Sequence, residues 1–400
     1  MLKVVTLEQA KDIICSRFPG EIISCETVDI SQIPGRIAAE DIVSAEDVPA
    51  FSRSVMDGYA VKACDSYGAS ASMPSMLDID GEILMGQTAE KKLEGGHCFR
   101  ISTGGMLPGG ADAVIPVEYT DEETGNMCLL YKSVSPLENV TSRGDDVKIG
   151  QCVIERGKPL SFKDVGVLAA MGAEHIKVIR RPVAGIISTG DELTEISGKL
   201  CIGQIRDVNS HLLSAVCEKY GCEAKRYGII RDDRSTLTQT IKKAVDECDF
   251  ILISGGSSAG EKDMTASVIS ELGEVYIHGI AMKPGKPTII GKINGKGIFG
   301  LPGHPAAAFF VAETAVKPFI DRITGARTVK SFYECELSEN ISSNHGREEY
   351  ICVRTENGVA FPLYGKSGII SLLSGCDGYI RISRECEGLC RGERVKVYNF

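Results

Sequence analysis

The sequence predicts a multidomain chain of mixed α/β and β class, with a central doubly wound parallel α/β domain. Three observations carry this. Strand-like and helix-like segments alternate from about residue 182 to 326, the pattern of a parallel sheet covered by helices. The first 180 residues are short apolar runs broken by Gly, Pro, Asp and Asn. From about residue 329 the chain is strand-like to its end. The division expected is therefore 1–180, a strand-rich N-terminal region; 181–328, the α/β domain; and 329–400, a small all-β domain. A chain of 400 residues exceeds one ordinary core, which agrees with several domains.

The elements follow in order. Thr6 is a helix N-cap, with Glu8 and Gln9 in the first turn and Ala10, Ile13 and Ile14 on one face. Ile101 to Thr103, Ala113 to Val117 and Leu129 to Lys132 read as strands, and Ser161 to Met171 as a helix closed by Gly172. In the middle region Val183 to Ser188 is a strand. Asn209 to Tyr220 is a helix, with Asn209 as cap and Gly221 as its stop. Glu223 to Ile229 is a strand, and Ser235 to Cys248 a helix that turns Leu237, Ile241, Ala244 and Val245 inward. Phe250 to Ile253 is a buried strand leading to a loop and another helix. Strands at Thr288 to Gly291 and Gly297 to Gly300 precede a helix from Pro305 to Ile320.

Composition narrows the function classes. The chain is 24% charged with a net charge of −10, which disfavours a nucleic-acid or anionic-membrane surface as its main partner. Met1 to Ala10 lacks the apolar core of a signal peptide, and no apolar run is long enough to span a bilayer. The fifteen cysteines are dispersed, with Cys217/Cys222 and Cys386/Cys390 the closest pairs and no C-x-x-C. That reads as reduced thiols in a cytoplasmic protein.

The chemistry gathers in loops at the carboxyl ends of the predicted α/β strands, where such sheets bind ligands. The stretch Asp249 to Asp263 runs from an apolar strand into small and hydroxyl residues, Ser254, Gly255, Gly256 and Ser257 among them, and then into a helix with Glu261 and Asp263 in its first turn. Backbone N–H groups and a helix N-terminus make an anion cradle. The acids beside it would repel a bare anion, so a divalent cation, Mg²⁺, is expected between them and a phosphate. Ser188-Thr-Gly-Asp-Glu-Leu193 adds Asp191 and Glu192. Met282-Lys-Pro-Gly-Lys-Pro287 adds Lys283 and Lys286, and Gly300-Leu-Pro-Gly-His-Pro305 adds proline-stiffened backbone. Each loop taken singly has an ordinary explanation: a cap, a βα turn, a proline turn. Four on one sheet edge together suit a phosphate ester or phosphoanhydride with a metal. Neither standard nucleotide motif is present, since Pro287 stands where a P-loop needs Ser or Thr. In the N-terminal region, Asp57 sits in Ser54-Val-Met-Asp-Gly-Tyr-Ala60, Thr103 in Ser102-Thr-Gly-Gly105, and Asp146 in Arg143-Gly-Asp-Asp146. On spacing alone the first is a hairpin turn and the last a solvated loop.

With these motifs in this order, the whole chain resembles the molybdopterin molybdenumtransferase family, which includes the C-terminal enzyme domain of gephyrin. The resemblance rests on Ser54 to Ala60, Ile101 to Gly105, Arg143 to Asp146, Ser188 to Leu193, Ser254 to Asp263, Met282 to Pro287 and Leu301 to Pro305. It implies an elongated homodimer whose N-terminal region has two interleaved subdomains and whose C-terminal domain is a β-barrel. The site would lie between the α/β domain of one subunit and the N-terminal part of the other. The reaction implied inserts molybdate into adenylylated molybdopterin, releases AMP and requires Mg²⁺, with a molybdopterin adenylyltransferase as partner. By the same resemblance Asp57, Asp146, Glu192 and Asp263 are the catalytic acids, with Glu192 and Asp263 holding the metal. Thr103, Ser254, Gly255, Gly256, Ser257, Lys283 and Lys286 contact substrate, Pro302 and Pro305 shape the pterin pocket, and Arg347 and Ser367 bind molybdate. Gly279 departs from the family, which often carries lysine there. Ser257 and Ala259 replace valines usual in the loop, and Arg53 precedes the Ser54 motif. The alternatives are a tungstate-inserting homologue, an adenylyltransferase acting one step earlier, and a non-catalytic pterin-binding scaffold.

Overall fold

The structure, a computed structural model, describes residues 4–21, 23–255, 259–365, 368 and 370–400, and for 259–263 the backbone alone. It divides into two compact units. One comprises Met1–Glu40, Gly157–Phe162 and His175–Phe400; the other comprises Asp41–Arg156 and Lys163–Glu174.

The first unit is built on strands β1 (Val183–Thr189), β2 (Glu223–Ile230), β3 (Phe250–Gly255), β4 (Glu274–His278), β5 (Met282–Lys283), β6 (Ile289–Ile293) and β7 (Lys296–Pro302). Its six-stranded sheet has the order β2-β1-β3-β7-β6-β4. Strands β2, β1, β3 and β7 run parallel. Side-chain alternation decides which face each residue serves. Ala184, Ile186, Phe250, Leu252, Phe299 and Leu301 enter one core. Ile187, Ile251, Ile253 and Ile298 enter another. Helix α1 (Val208–Lys219) covers the first face through Leu213 and Val216. Helices α2 (Arg234–Glu247) and α3 (Ala259–Leu272) cover the second. Strand runs apolar at every position are what a sheet buried on both faces requires.

The sheet is not parallel throughout. Strand β6 pairs antiparallel with β7, and β4 antiparallel with β6. The reason is local: Asn294 and Gly295, at φ 48 and 84, form the two-residue turn between β6 and β7. An Asn-Gly pair with both residues left-handed is the favoured hairpin connection, and a hairpin is antiparallel. Strand β4 thereby runs with β7, so the loop after β4 emerges at the same edge as those after β1, β3 and β7.

One cap also differs from expectation. Helix α1 is capped by Asp207, whose carboxylate accepts from Ser210 N at 3.0 Å; Asn209 lies inside the first turn and does other work. Helix α2 is capped by Asp233, which accepts from Thr236 N at 2.7 Å and from the Ser235 and Thr236 hydroxyls. These bonds favour the ionised form and hold the Asp233 carboxyl at about 2. The N-terminal helix Leu7–Arg17 has the expected capping box between Thr6 and Gln9. The long helix expected after Pro305 is three pieces: α4 (Pro305–Val311), a π turn at Ala312–Val316, and α5 (Lys317–Thr324). Phe319 of α5 is the aromatic hub, with ring centroids 4.9 Å from Phe18, 5.1 Å from Phe299 and 5.6 Å from Phe250.

The C-terminal strands are β8 (Phe332–Leu337), β9 (Glu348–Glu356), β10 (Val359–Pro362), β11 (Gly378–Ile382) and β12 (Arg394–Asn399). They pair in the order β9-β10-β8-β12-β11, and β11 returns to β9, closing a five-stranded barrel. Alternate residues, Ile351 and Val353, Ile380 and Ile382, Val395 and Val397, fill it. Closure removes the exposed strand edges that so small a sheet would otherwise present.

The second unit has a six-stranded sheet in the order Ala113–Pro116, Gly58–Val61, His97–Ile101, Ser75–Ile83, Met127–Leu130, Thr120–Glu123. Its core includes Tyr59, Leu77, Ile79, Ile115 and Leu130. Among the described residues no helix is long and apolar enough to cross a membrane.

Truncating Phe319 to Ala should cost about 3–5 kcal/mol, because it opens a cavity against three rings at once. Urea unfolding checks this: the midpoint should fall markedly, whereas Phe332→Ala, at a half-exposed position, should barely move it.

Candidate functional site

The edge where β1, β3, β4 and β7 end carries two neighbouring clefts. The smaller, about 370 Å³, is lined by Glu192, Asp207, Asn209, Ser254, Gly255 and Pro305. The larger, about 690 Å³, lies between the α/β loops and the barrel and is lined by Lys283, Lys286, Pro302, Arg347, Glu349 and Tyr350. His304 borders both.

The smaller cleft is braced by one amide. Asn209 Nδ2 donates to Ser254 Oγ at 2.7 Å and to the Gly303 carbonyl at 2.8 Å, so α1 ties the β3 loop to the β7 loop. Asn209 Oδ1 is buried without a hydrogen-bond partner. Asp207 adds a second brace: beyond capping α1, its Oδ1 accepts from Ser188 Oγ of β1 at 3.0 Å. Gly255 is required by contact, since a Cβ there would lie 1.6 Å from Thr189 Oγ1 on the adjacent strand. Glu192 is half-buried at the cleft wall, and its neighbour Asp191 accepts from Asp232 N at 3.4 Å. Asp232 Oδ1 is buried without a partner.

The larger cleft owes its shape to β5. This two-residue strand pairs parallel with β9, Met282 opposite Glu348 and Lys283 opposite Glu349, and Glu348 N donates to Ala281 O at 3.1 Å. On its other side the segment accepts the N-terminus of the chain: Val5 N donates to Gly279 O at 3.1 Å and Ala281 N to Val5 O at 2.8 Å. Gly279 has φ +114, a conformation that a lysine would adopt only under strain. Lys283, Lys286 and Arg347 are exposed along the cleft, while Glu349 is buried in its wall. The Lys283 Nζ to Glu349 Oε1 distance is 2.5 Å. Tyr350 and Cys352 complete the wall as neutral groups. Burial, with Glu348 beside it, pushes the Tyr350 phenol well above its usual range. A hydrogen bond with Cys376, and then burial, push the Cys352 thiol up. Among the described residues the Lys, Arg, Asp and Glu side chains that line this cleft are Lys283, Lys286, Arg347 and Glu349, with His304 at its border.

In the second unit Asp57 Oδ1 accepts from Thr103 N at 2.7 Å and Thr103 Oγ1 at 3.1 Å, so two of the expected residues meet. Asp146 is exposed on a separate turn, where its N–H donates to Val48 O. The Arg143 side chain of that turn pairs with Asp47 at 2.7 Å. Gly256, Ser257 and Ser367 lie outside the described residues, as does the side chain of Asp263.

Comparison with known proteins agrees with this architecture. The model of the MoeA N-terminal region (domain I and II) matches residues 5–172, that of the probable molybdopterin binding domain residues 185–322, and that of the MoeA C-terminal region (domain IV) residues 334–400. The chain is 33% identical to the molybdopterin molybdenumtransferase of Haemophilus influenzae, over 99% of each chain. The chain belongs to the molybdopterin molybdenumtransferase family. Two crystal structures of the molybdopterin biosynthesis MoeA protein of Pyrococcus horikoshii superpose over nearly their full lengths. One has a TM-score of 0.82 at 40% identity, covering 99% of both chains; the other has 0.87 at 32%, covering all of both.

Asn209, Asp207 and Glu349 are the cleft residues whose part in the site sequence reasoning passed over. Asp207 carried a signal, an acid three residues before Ser210 at a helix start. Glu349 carried none, since only the β5–β9 pairing brings it to Lys283.

Replacing Asn209 with Ala would leave the Gly303 carbonyl and Ser254 hydroxyl without their donor, at a cost of about 1–3 kcal/mol. The thermal midpoint should drop modestly. Hydrogen exchange should quicken at Ser254, Gly255 and Gly303 before it does in the barrel.

Proposed function

We propose that this chain inserts molybdate into adenylylated molybdopterin, cleaving the phosphoanhydride and releasing AMP, in molybdenum cofactor biosynthesis. The observation that carries the reading is the convergence of Lys283, Lys286 and Arg347 on one cleft that adjoins the Glu192–Ser254 cleft across His304. Three cations suit a tetrahedral oxyanion and a phosphate, and the guanidinium of Arg347 can engage two oxygens at once.

The chain's own groups divide the work. The Ser254 hydroxyl and the Gly255 backbone offer contacts to phosphate oxygens. Lys283 and Lys286 offset negative charge as it develops on the leaving phosphate. Pro302 and Pro305 hold the β7 loop in one shape for the pterin. The donors at the smaller cleft are oxygens, the Glu192 carboxylate and the unpartnered Asn209 Oδ1 among them, and oxygens are what Mg²⁺ takes. Among the described residues no group of three His, Cys, Asp or Glu side chains could hold a metal by itself. The ion would be bound through one or two carboxylates, Glu192 and Asp263, with substrate phosphate completing the shell. When bound, Mg²⁺ would polarise the phosphoanhydride. A homodimer, a cytoplasmic location and a molybdopterin adenylyltransferase that supplies the substrate belong to the same proposal.

AMP release from adenylylated molybdopterin with Mg²⁺, measured with and without molybdate, tests the reading. Molybdate-dependent release is expected. Tight binding without release would replace it by a pterin-binding scaffold, and equal or better turnover with tungstate would replace molybdate as the substrate. Asp263→Ala should abolish AMP release while leaving the sedimentation behaviour of the protein unchanged; normal turnover would remove Asp263 from the metal site. Arg347→Ala should raise the molybdate concentration for half-maximal turnover by about tenfold or more, the loss of one charge-assisted contact.

A further inference from the structure

Among the described residues that line the larger cleft, Glu349 is the one carboxylate. Its two oxygens are both engaged: Oε1 with Lys283 Nζ at 2.5 Å, Oε2 with Ser343 Oγ at 2.8 Å. The pair is asymmetric. The Glu349 side chain is 10% exposed and anchored on β9, while that of Lys283 is 49% exposed on a four-carbon stem. Lys283 can leave its partner for a ligand; Glu349 cannot follow. The preceding residue, Glu348, is engaged elsewhere, through Arg381 at 2.7 Å and the Tyr350 hydroxyl at 3.0 Å, and does not line the cleft. Nor is the ion pair needed to fasten β5 to the barrel, since the backbone ladder and the Glu348–Ala281 hydrogen bond already do so.

We propose that Glu349 is a specificity-determining residue of this cleft, one that occupies Lys283 and keeps small free dianions out until a larger substrate displaces it. The proposal rests on the cleft being the oxyanion site. Lys283, Lys286 and Arg347 without an acid would hold any tetrahedral dianion, sulfate and phosphate included. With Glu349 in the wall, a free dianion that draws Lys283 away meets a like charge and leaves a buried carboxylate short of a partner. A substrate that also makes contacts elsewhere along the two clefts can offset that penalty. Discrimination of this kind works through a repulsive element and not only through attractive contacts.

Sulfate and molybdate are the probes, titrated calorimetrically into the full-length protein and its variants. Glu349→Gln keeps the shape and the contact with Ser343 while removing the charge. It should tighten binding of both anions by roughly tenfold, the effect of one elementary charge a few ångströms from a dianion. Glu349→Asp, which restores the charge, should return sulfate affinity to within about threefold of the parent. Ser343→Ala, which removes the donor to Oε2 and leaves the buried carboxylate more dependent on Lys283, should weaken binding of both anions, the opposite direction to Glu349→Gln, and serves if the glutamine variant is unstable. Tightened binding that disappears in Glu349→Gln/Arg347→Ala supports the proposal. Unchanged or weaker binding in Glu349→Gln, with Arg347→Ala still lowering affinity, overturns it and leaves the oxyanion site standing. Anion binding indifferent to Arg347, or absent from every form, overturns both.

Discussion

Two residues of backbone, Met282 and Lys283, set in register against Glu348 and Glu349, are the constraint on which the rest of the first unit turns. The barrel interior has a core of its own, but its outer face joins the α/β core through Tyr350, Cys352 and Tyr379, with the Phe310 ring 5.4 Å from Tyr350 and 5.5 Å from Tyr379. The β5–β9 pairing makes the barrel a wall of the ligand edge. It brings Arg347, just before β9, and Glu349, early in it, to the loop that holds Lys283 and Lys286. A ladder of this kind fixes register as well as contact, because a slip by one residue would turn Glu349 away and present Glu348.

The second structural device is the rigidity of the sheet edge. Loops that bind ligands are ordinarily among the least restrained parts of a fold. Here they are tied to one another: Asn209 joins the β3 and β7 loops, Asp207 joins α1 to β1, and Val5 pairs with the segment that leads into β5. Polar atoms are thereby arranged before any ligand arrives, which reduces the ordering cost of binding. The neutral Tyr350 and Cys352 leave the field in the larger cleft to a few charged side chains.

Much of this was legible in the chain. The β-α alternation, the expected caps at Thr6 and the turn residues placed the sheet and its ligand edge, and the lysines and acids of four loops pointed to phosphate chemistry there. Asn294-Gly295 was an equally plain signal for an antiparallel hairpin, and it overrides the alternation wherever the two compete. Asn209 was misplaced for a physical reason: Asp, Asn and Ser all cap helices, and in Asp207-Val-Asn-Ser210 spacing alone does not say which one does.

The sequence by itself determined the local structure, the class of fold and the kinds of groups available, because periodicity, caps and turns act between residues near one another in the chain. Only the tertiary structure decided which groups meet. Lys283 and Glu349 are separated by a hairpin, three helical segments and the first barrel strand, and nothing in either neighbourhood specifies the other. Their contact is a consequence of two domains sharing one short ladder, and long-range pairing of that kind is written in packing and register rather than in any local pattern.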